Sequence, residues 1–247
     1  MKVLTKDAAE FGRLLEALVN ELVDAQCHFR LHQKLVESFS SGDYGRVYSQ
    51  SSAFWGLTLN AHLDAVLLRL CKAYDQYEGS KPTLTLKNLL ETISANLQLF
   101  DEPNFRERLR NNPFVDVLAE ESTRPDPILL RADLESVSTG NHRVKKLNDW
   151  RDKVYSHMSI DPVLNRQEFN EANRLSWEDI ETLLKNGSTI VNRYLGLFKA
   201  SHYATGMIGQ DDYLWLLKTA HEAMEAQRAR VEAEFRELGV EWGKEAS

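Results

Sequence analysis

Cysteine is scarce in this chain: Cys27 and Cys71 are the two in 247 residues. That is too few for a disulfide framework or a four-thiolate zinc site, so both thiols are expected reduced and buried. Proline and glycine are sparse as well, six and twelve, and no proline follows Pro162. This excludes collagen-like repeats and favours long helices over a many-turned β fold. No stretch approaches the roughly 18 to 20 apolar residues of a membrane span, and Met1 to Asp7 meets charge before any apolar run develops, so a cytoplasmic protein away from membranes is expected. Basic residues are outnumbered, 30 Lys and Arg against 37 Asp and Glu, which disfavours a general polyanion binder. Also missing are the glycine-rich phosphate loops G-x-x-x-x-G-K-[ST] and G-x-G-x-x-G, and the H-E-x-x-H, G-x-S-x-G and paired C-x-x-C motifs. Most cofactor enzymes drop out with them, and no cofactor is expected.

What is there reads as helix. Phe11, Leu14, Leu15, Leu18 and Leu22 follow the 3 and 4 spacing of an amphipathic helix from about Asp7 to Ser38. After the turn at Ser40 to Asp43, a second helix carries Leu59, Leu63, Val66, Leu67, Leu70 and Tyr74, stops before Gly79 and Pro82, and is expected to be the most buried. Thr85 opens a shorter helix with Leu89, Leu90 and Ile93. Asn104 to Leu118 supplies another, broken near Pro113, and a linker runs from Glu120 to Pro127. Asp126-Pro127 reads as an N-cap followed by proline at the first helical position, with a stop near Gly140. A further helix starts near Asn141 and ends before Pro162. Ser176-Trp177-Glu178-Asp179 has the form of a capping box, and Trp177, Ile180, Leu184, Val191, Tyr194 and Phe198 follow it as a seam in which Gly187 takes one position. The last helix, Asp211 to Leu238, closes on Gly239 and repeats the seam with Leu214, Leu217, Met224, Val231, Phe235 and Leu238, interrupted by His221 and Arg228. The fold class is therefore all-α: a helical bundle with long C-terminal antiparallel helices, packed within the chain or on a second protomer.

Two histidine groups are candidates for chemistry. His28 and His32 stand four apart with Asp24 a turn earlier, a stripe with metal-ligand spacing that an exposed polar face explains better, and no metal is expected. His62, with Asn60 and Asp64, lies on a mainly apolar helix, where a histidine hydrogen-bonded in the core is the favoured reading.

The informative stretch is Asn141 to His157. Arg143, Lys145, Lys146, Arg151 and Lys153 against Asp149 and Asp152 concentrate positive charge in an acidic protein, a local footprint for an anion. Read as one helix, Val144, Leu147, Val154 and Met158 form an apolar stripe, and Arg151 stands in the middle of it. An unpaired buried charge costs several kcal/mol, about 3 to 5 when a partner is removed, so Arg151 requires a carboxylate, a path to water or a ligand phosphate. His157 follows six residues later, about 9 Å along an ideal helix and some 120° around it. The two side chains converge poorly on a straight helix, and better at an irregular turn or across a two-fold axis.

Arg151-Asp152-Lys153-Val154-Tyr155-Ser156-His157 resembles the R-x(4 to 6)-H motif of the HEPN superfamily, the higher eukaryote and prokaryote nucleotide-binding domains. The wider chain is similar to the abortive-infection U branch: Leu147 to Trp150 leads into the motif, and Phe54-Trp55 through Asn60 to Asp64 and on to Tyr74-Asp75 resembles that family's long central helix. The likeness covers about residues 10 to 200, which implies a HEPN-like bundle over 1–204 and a C-terminal long helix over 205–247 packed on the bundle or on a dimer partner. It also implies a metal-independent endoribonuclease, a toxin or antiphage effector, acting as a homodimer on a small, specific RNA. In that case Arg151 and His157 are the catalytic pair, Asp152 orients one of them, Lys145, Lys146 and Lys153 bind flanking phosphates, and Tyr155 stacks a base. An antitoxin or other regulatory partner belongs to the same picture. Some toxins of the superfamily carry a tyrosine two residues after the histidine, and here that position is Ser159. From the residues alone, a helical module that binds a nucleotide or a protein without cleaving it is the competing reading.

Overall fold

The computed structural model describes residues 3–42, 44–76, 82–120, 123–155, 164, 167, 171, 174–204, 209 and 211–239. Among the described residues there are ten α-helices and no strand, as the 3 and 4 spacing requires. They are α1 (Ala8–Ser40), α2 (Gly45–Gln50), α3 (Ser52–Ala73), α4 (Leu86–Ala95), α5 (Glu102–Arg108), α6 (Val115–Glu120), α7 (Pro127–Ser136), α8 (His142–Trp150), α9 (Trp177–Lys199) and α10 (Asp212–Glu237). None of them is long and apolar enough to cross a membrane.

The helix starts follow from side chains that satisfy the orphan N–H groups of a first turn. Asp7 accepts from the Glu10 N–H at 2.7 Å, Thr85 from Asn88 at 3.1 Å, Asp126 from Ile128 at 2.7 Å and Asn141 from Arg143 at 3.0 Å. Ser176 and Asp179 form the reciprocal capping box, at 3.1 Å in each direction. Gly239, at φ +73°, lies just past the end of α10, where the left-handed conformation suits glycine.

The chain forms two compact units, residues 1–26 with 64–205 and residues 27–63 with 206–247. In the first, Phe11, Leu15, Leu18 and Leu22 of α1 are buried along with Val66 and Leu70 of α3, Leu89, Leu90 and Ile93 of α4, and the seam of α9. Phe11 packs edge-on against Phe198 and Phe100, with ring centroids 4.9 and 5.7 Å apart. In the second unit, Leu35, Val47 and Leu217 form a smaller core against which Phe39, Trp55, Leu59 and Met224 pack.

Three expectations are corrected: an unbroken second helix, its rank as the most buried, and the burial of both thiols. The helix that follows the Ser40 to Asp43 turn breaks at Ser51 into α2 and α3, and α3 is not the most buried helix: it buries four residues of 22, against eleven of 23 in α9 and six of ten in α4. The reason is that α3 keeps Leu59, Leu63 and Leu67 only partly covered. In the α10 seam only Leu217 is buried, while Leu214 and Leu238 are exposed. Of the thiols, Cys71 is buried but Cys27 is only partly so, and the two form no disulfide.

Candidate functional site

The site is built on α8. Val144 and Leu147 are fully buried, and their neighbour Asn148 donates from Nδ2 to the Tyr74 carbonyl at 3.3 Å and to the Val144 carbonyl at 2.9 Å. The Cys71 thiol donates to the Leu147 carbonyl at 3.7 Å. These contacts hold α8 against the C-terminal end of α3. Tyr74 continues the chain of contacts, because its buried O–H donates to the Leu183 carbonyl of α9 at 2.6 Å. Burial raises the Tyr74 phenol above its ordinary range, against the opposing hydrogen bond from Asn186, so this group stays a neutral donor. Gln76 Nε2 donates to both the Tyr74 and the Val137 carbonyls at 2.9 Å and fixes the chain just after Asp75.

At Trp150 the α-helix gives way to a π-helical turn, Arg151–Tyr155. Such a turn admits one more residue than an α turn, so side chains after it leave the face their spacing would give them. Val154 is accordingly exposed, and the apolar stripe read through Val154 and Met158 does not continue beyond Leu147 as a buried face. Met158 lies outside the described residues.

Arg151 keeps 20% of its side chain accessible and meets two carboxylates. Its Nη1 forms an ion pair with Asp75 Oδ1. Nε and Nη2 both donate to Asp152 Oδ1, at 2.7 and 2.5 Å. The charge that the apolar stripe could not accommodate is therefore paired, once with its chain neighbour and once with a residue 76 positions earlier. The Cys71 thiol lies within the same electrostatic environment. Burial pushes it up to about 12, the Arg151 guanidinium acts in the opposite sense and Asp152 reinforces burial, so it is an unreactive thiol.

Arg143 and Lys146 are engaged by α9 and the residues before it. Arg143 Nε donates to Asp179 Oδ1 at 2.9 Å, and Lys146 Nζ lies 3.7 Å from Asp179 Oδ2 and donates to the Arg174 carbonyl at 3.2 Å. At Asp179, burial opposes the charge, but hydrogen bonds from the Ser176 N–H and hydroxyl, with Lys146 and Arg143 beside it, outweigh burial and hold the carboxyl below its ordinary range. Lys145, Asp152 and Lys153 are exposed. The Tyr155 side chain and His157 lie outside the described residues, so the structure brings together Arg151 and Asp152 of the expected catalytic group. Sequence reasoning required a carboxylate, a path to water or a ligand phosphate for Arg151, and did not name Asp75 as its partner. The only signal was its position directly after Tyr74 at the end of an apolar helix.

The histidines are arranged differently from the expected exposed stripe. His32 is buried and its Nδ1 lies 2.8 Å from the Leu59 carbonyl. His28 Nδ1 meets His62 Nδ1 at 2.8 Å, and Asp24 pairs with Arg69 at 3.1 Å. Among the described residues, no group of three or more His, Cys, Asp or Glu is placed to hold a metal ion.

The described elements are helical throughout, the arginine of the R-x(5)-H segment stands on an irregular turn at a helix end, and a family model of the HEPN type matches the chain. More specifically, the HEPN family model described as AbiU2 matches residues 8–214, and the chain belongs to that family. Among curated proteins and among solved structures, none matches the chain significantly.

Proposed function

We propose that the protein is a metal-independent endoribonuclease of the HEPN type, a toxin or abortive-infection effector that acts in the cytoplasm. The observation that carries this reading is the partly accessible Arg151 guanidinium on the π turn, in a family whose motif pairs such an arginine with a histidine. A 2′-hydroxyl of RNA attacks the adjacent phosphorus, the bond to the 5′-oxygen breaks, and a 2′,3′-cyclic phosphate remains. His157 takes the hydroxyl proton or supplies one to the leaving oxygen, as a group with an ordinary pKa near 6.5 does well at neutral pH. Arg151 holds two phosphate oxygens as charge builds on them. Lys145, Lys146 and Lys153 bind flanking phosphates and Tyr155 stacks a base. Two protomers complete the site, and an antitoxin or other regulatory partner restrains it. The net charge of −7 favours a small, specific RNA target over avid binding to any RNA.

The test is incubation of the purified protein with total tRNA and mixed single-stranded RNA in excess EDTA, with end-group analysis. Cleavage leaving cyclic phosphate ends is expected, and it should fall at least about 100-fold in His157→Ala and in Arg151→Ala with the fold intact. Equal cleavage by the parent and both variants overturns the assignment. A second reading, a helical module that binds nucleotide or protein without cleaving it, draws support from the two carboxylates that neutralise Arg151. Binding without cleavage would favour it.

A further inference from the structure

The guanidinium of Arg151 is held unequally on its two sides. Its Nη1 faces Asp75, whose side chain is 19% accessible. The opposite edge, Nε with Nη2, faces Asp152, which is 57% accessible. Asp75 sits between Tyr74, whose carbonyl accepts from Asn148 and Gln76, and Gln76 itself, which also reaches Val137. Its backbone is thus tied into the core on both sides. Asp152, by contrast, lies on an exposed π turn and is the chain neighbour of the arginine it contacts.

The Nε–Nη2 edge is the fork with which an arginine grips two oxygens of a phosphate at once. Asp152 fills that fork with one oxygen, Oδ1, which accepts from both nitrogens. Two parallel bonds to two oxygens would hold more firmly. Two carboxylates around one guanidinium also leave the cluster with a formal excess of negative charge, which repels an incoming phosphate until one of them moves aside.

We propose that Asp75 is a positioning residue for Arg151, and that Asp152 is a built-in anion that a substrate phosphate displaces from the Nε–Nη2 edge. The proposal rests on Arg151 being the phosphate-holding group named above. It gives the two acids opposite effects on binding: Asp75 keeps the fork aimed, and Asp152 keeps it closed until a nucleic-acid phosphate of sufficient affinity arrives. The resting site is thereby selective against weak anions.

The experiment measures binding of the full chain to a short single-stranded RNA, methylated at every 2′-hydroxyl so that it cannot be cleaved, at one fixed salt concentration. Asp152→Asn should bind at least about fivefold tighter than the parent, and the gain should vanish in the Arg151→Ala background. Asp149→Asn, which removes the same charge from the same segment, should change affinity by less than about twofold. Asp75→Asn should bind at least about fivefold weaker. Should that variant fail to fold, Asp75→Glu, which keeps the charge on a longer stem, is expected to bind between the parent and Arg151→Ala. The proposal is overturned by no gain in Asp152→Asn, by the same gain with and without Arg151, by parent-like binding in the Asp75 variants, or by no binding from any protein. These affinities are read apart from cleavage. A parent that cleaves RNA without the Asp152 gain removes the displaced anion and leaves the nuclease. The expected affinities in a parent that does not cleave leave the displaced anion and remove the nuclease.

Discussion

Gly187 sets how closely α9 approaches its neighbours. A Cβ there would meet Leu22 Cδ2 at 3.0 Å, Leu22 Cδ1 at 3.3 Å and the Tyr74 hydroxyl at 3.3 Å. Both neighbours are fully buried, and Tyr74 is further fixed by its hydrogen bond to Leu183. Helix propensity alone favours alanine over glycine by about 1 kcal/mol. Overpacking of a filled core costs about 1 to 3 kcal/mol, and with little freedom for either neighbour to retreat the second effect is the larger. Gly187→Ala is therefore expected to lower the melting temperature by a few degrees, on the order of 2 to 4 °C per kcal/mol for a chain of this size. An unchanged or raised melting temperature would show that the Leu22 side chain yields. The same scale governs Arg151, whose charge is tolerated near the core because two carboxylates meet it there.

At the scale of elements, α1 and α3 are joined within the second unit by histidines. The Nδ1 to Nδ1 contact of His28 and His62 needs one proton between the rings, one nitrogen donating and the other accepting, so two charged rings cannot share it. Burial lowers the pKa of His62, and the positive charges of His28 and His32 lower it further. Burial lowers that of His32 as well, against the opposing hydrogen bond to the Leu59 carbonyl. A folded pKa below the unfolded value means that the unfolded chain binds more protons. The stability these groups contribute is therefore fully present above the unfolded value of about 6.5 and is lost as pH falls through the lower folded values. Urea midpoints at pH 7.5 and 5.5 should fall with acidity in the parent and fall less in His62→Gln. A pH-independent parent midpoint, or an equal fall in the variant, contradicts this account.

Across the whole molecule, burial is unevenly shared. In the first unit α9 buries eleven of its 23 residues, whereas in the second α10 buries only Leu217 of its 26. Few buried apolar contacts and many solvent-facing backbone hydrogen bonds mark a segment that opens at low free-energy cost. Amide hydrogen exchange should therefore be slow in the interior of α9 and faster by orders of magnitude in residues 222–236 of α10 under the same conditions. Equal protection in the two helices would mean that α10 is covered in solution, for example by a second protomer. The cleavage, binding and exchange measurements together separate what the site does from what the C-terminal helix covers.

Local chemistry was legible in the amino-acid order. The helical class follows from 3 and 4 spacing, and the starts of α4, α7, α8 and α9 follow from Thr85, Asp126, Asn141 and the Ser176 box, because a cap acts within one turn and needs no distant partner. The same order shows that Arg151 stands where an apolar residue belongs and needs a carboxylate, a path to water or a ligand phosphate. What it cannot express is which distant group pairs with it. Asp75 lies 76 positions away and reaches Arg151 only once α8 has docked on the end of α3 through Asn148 and Cys71. The π turn at Arg151, the contact between His28 and His62 and the depth of α9 relative to α3 are likewise products of packing. Each depends on what a neighbouring helix leaves room for, and that is decided only when surfaces far apart in the chain close on one another.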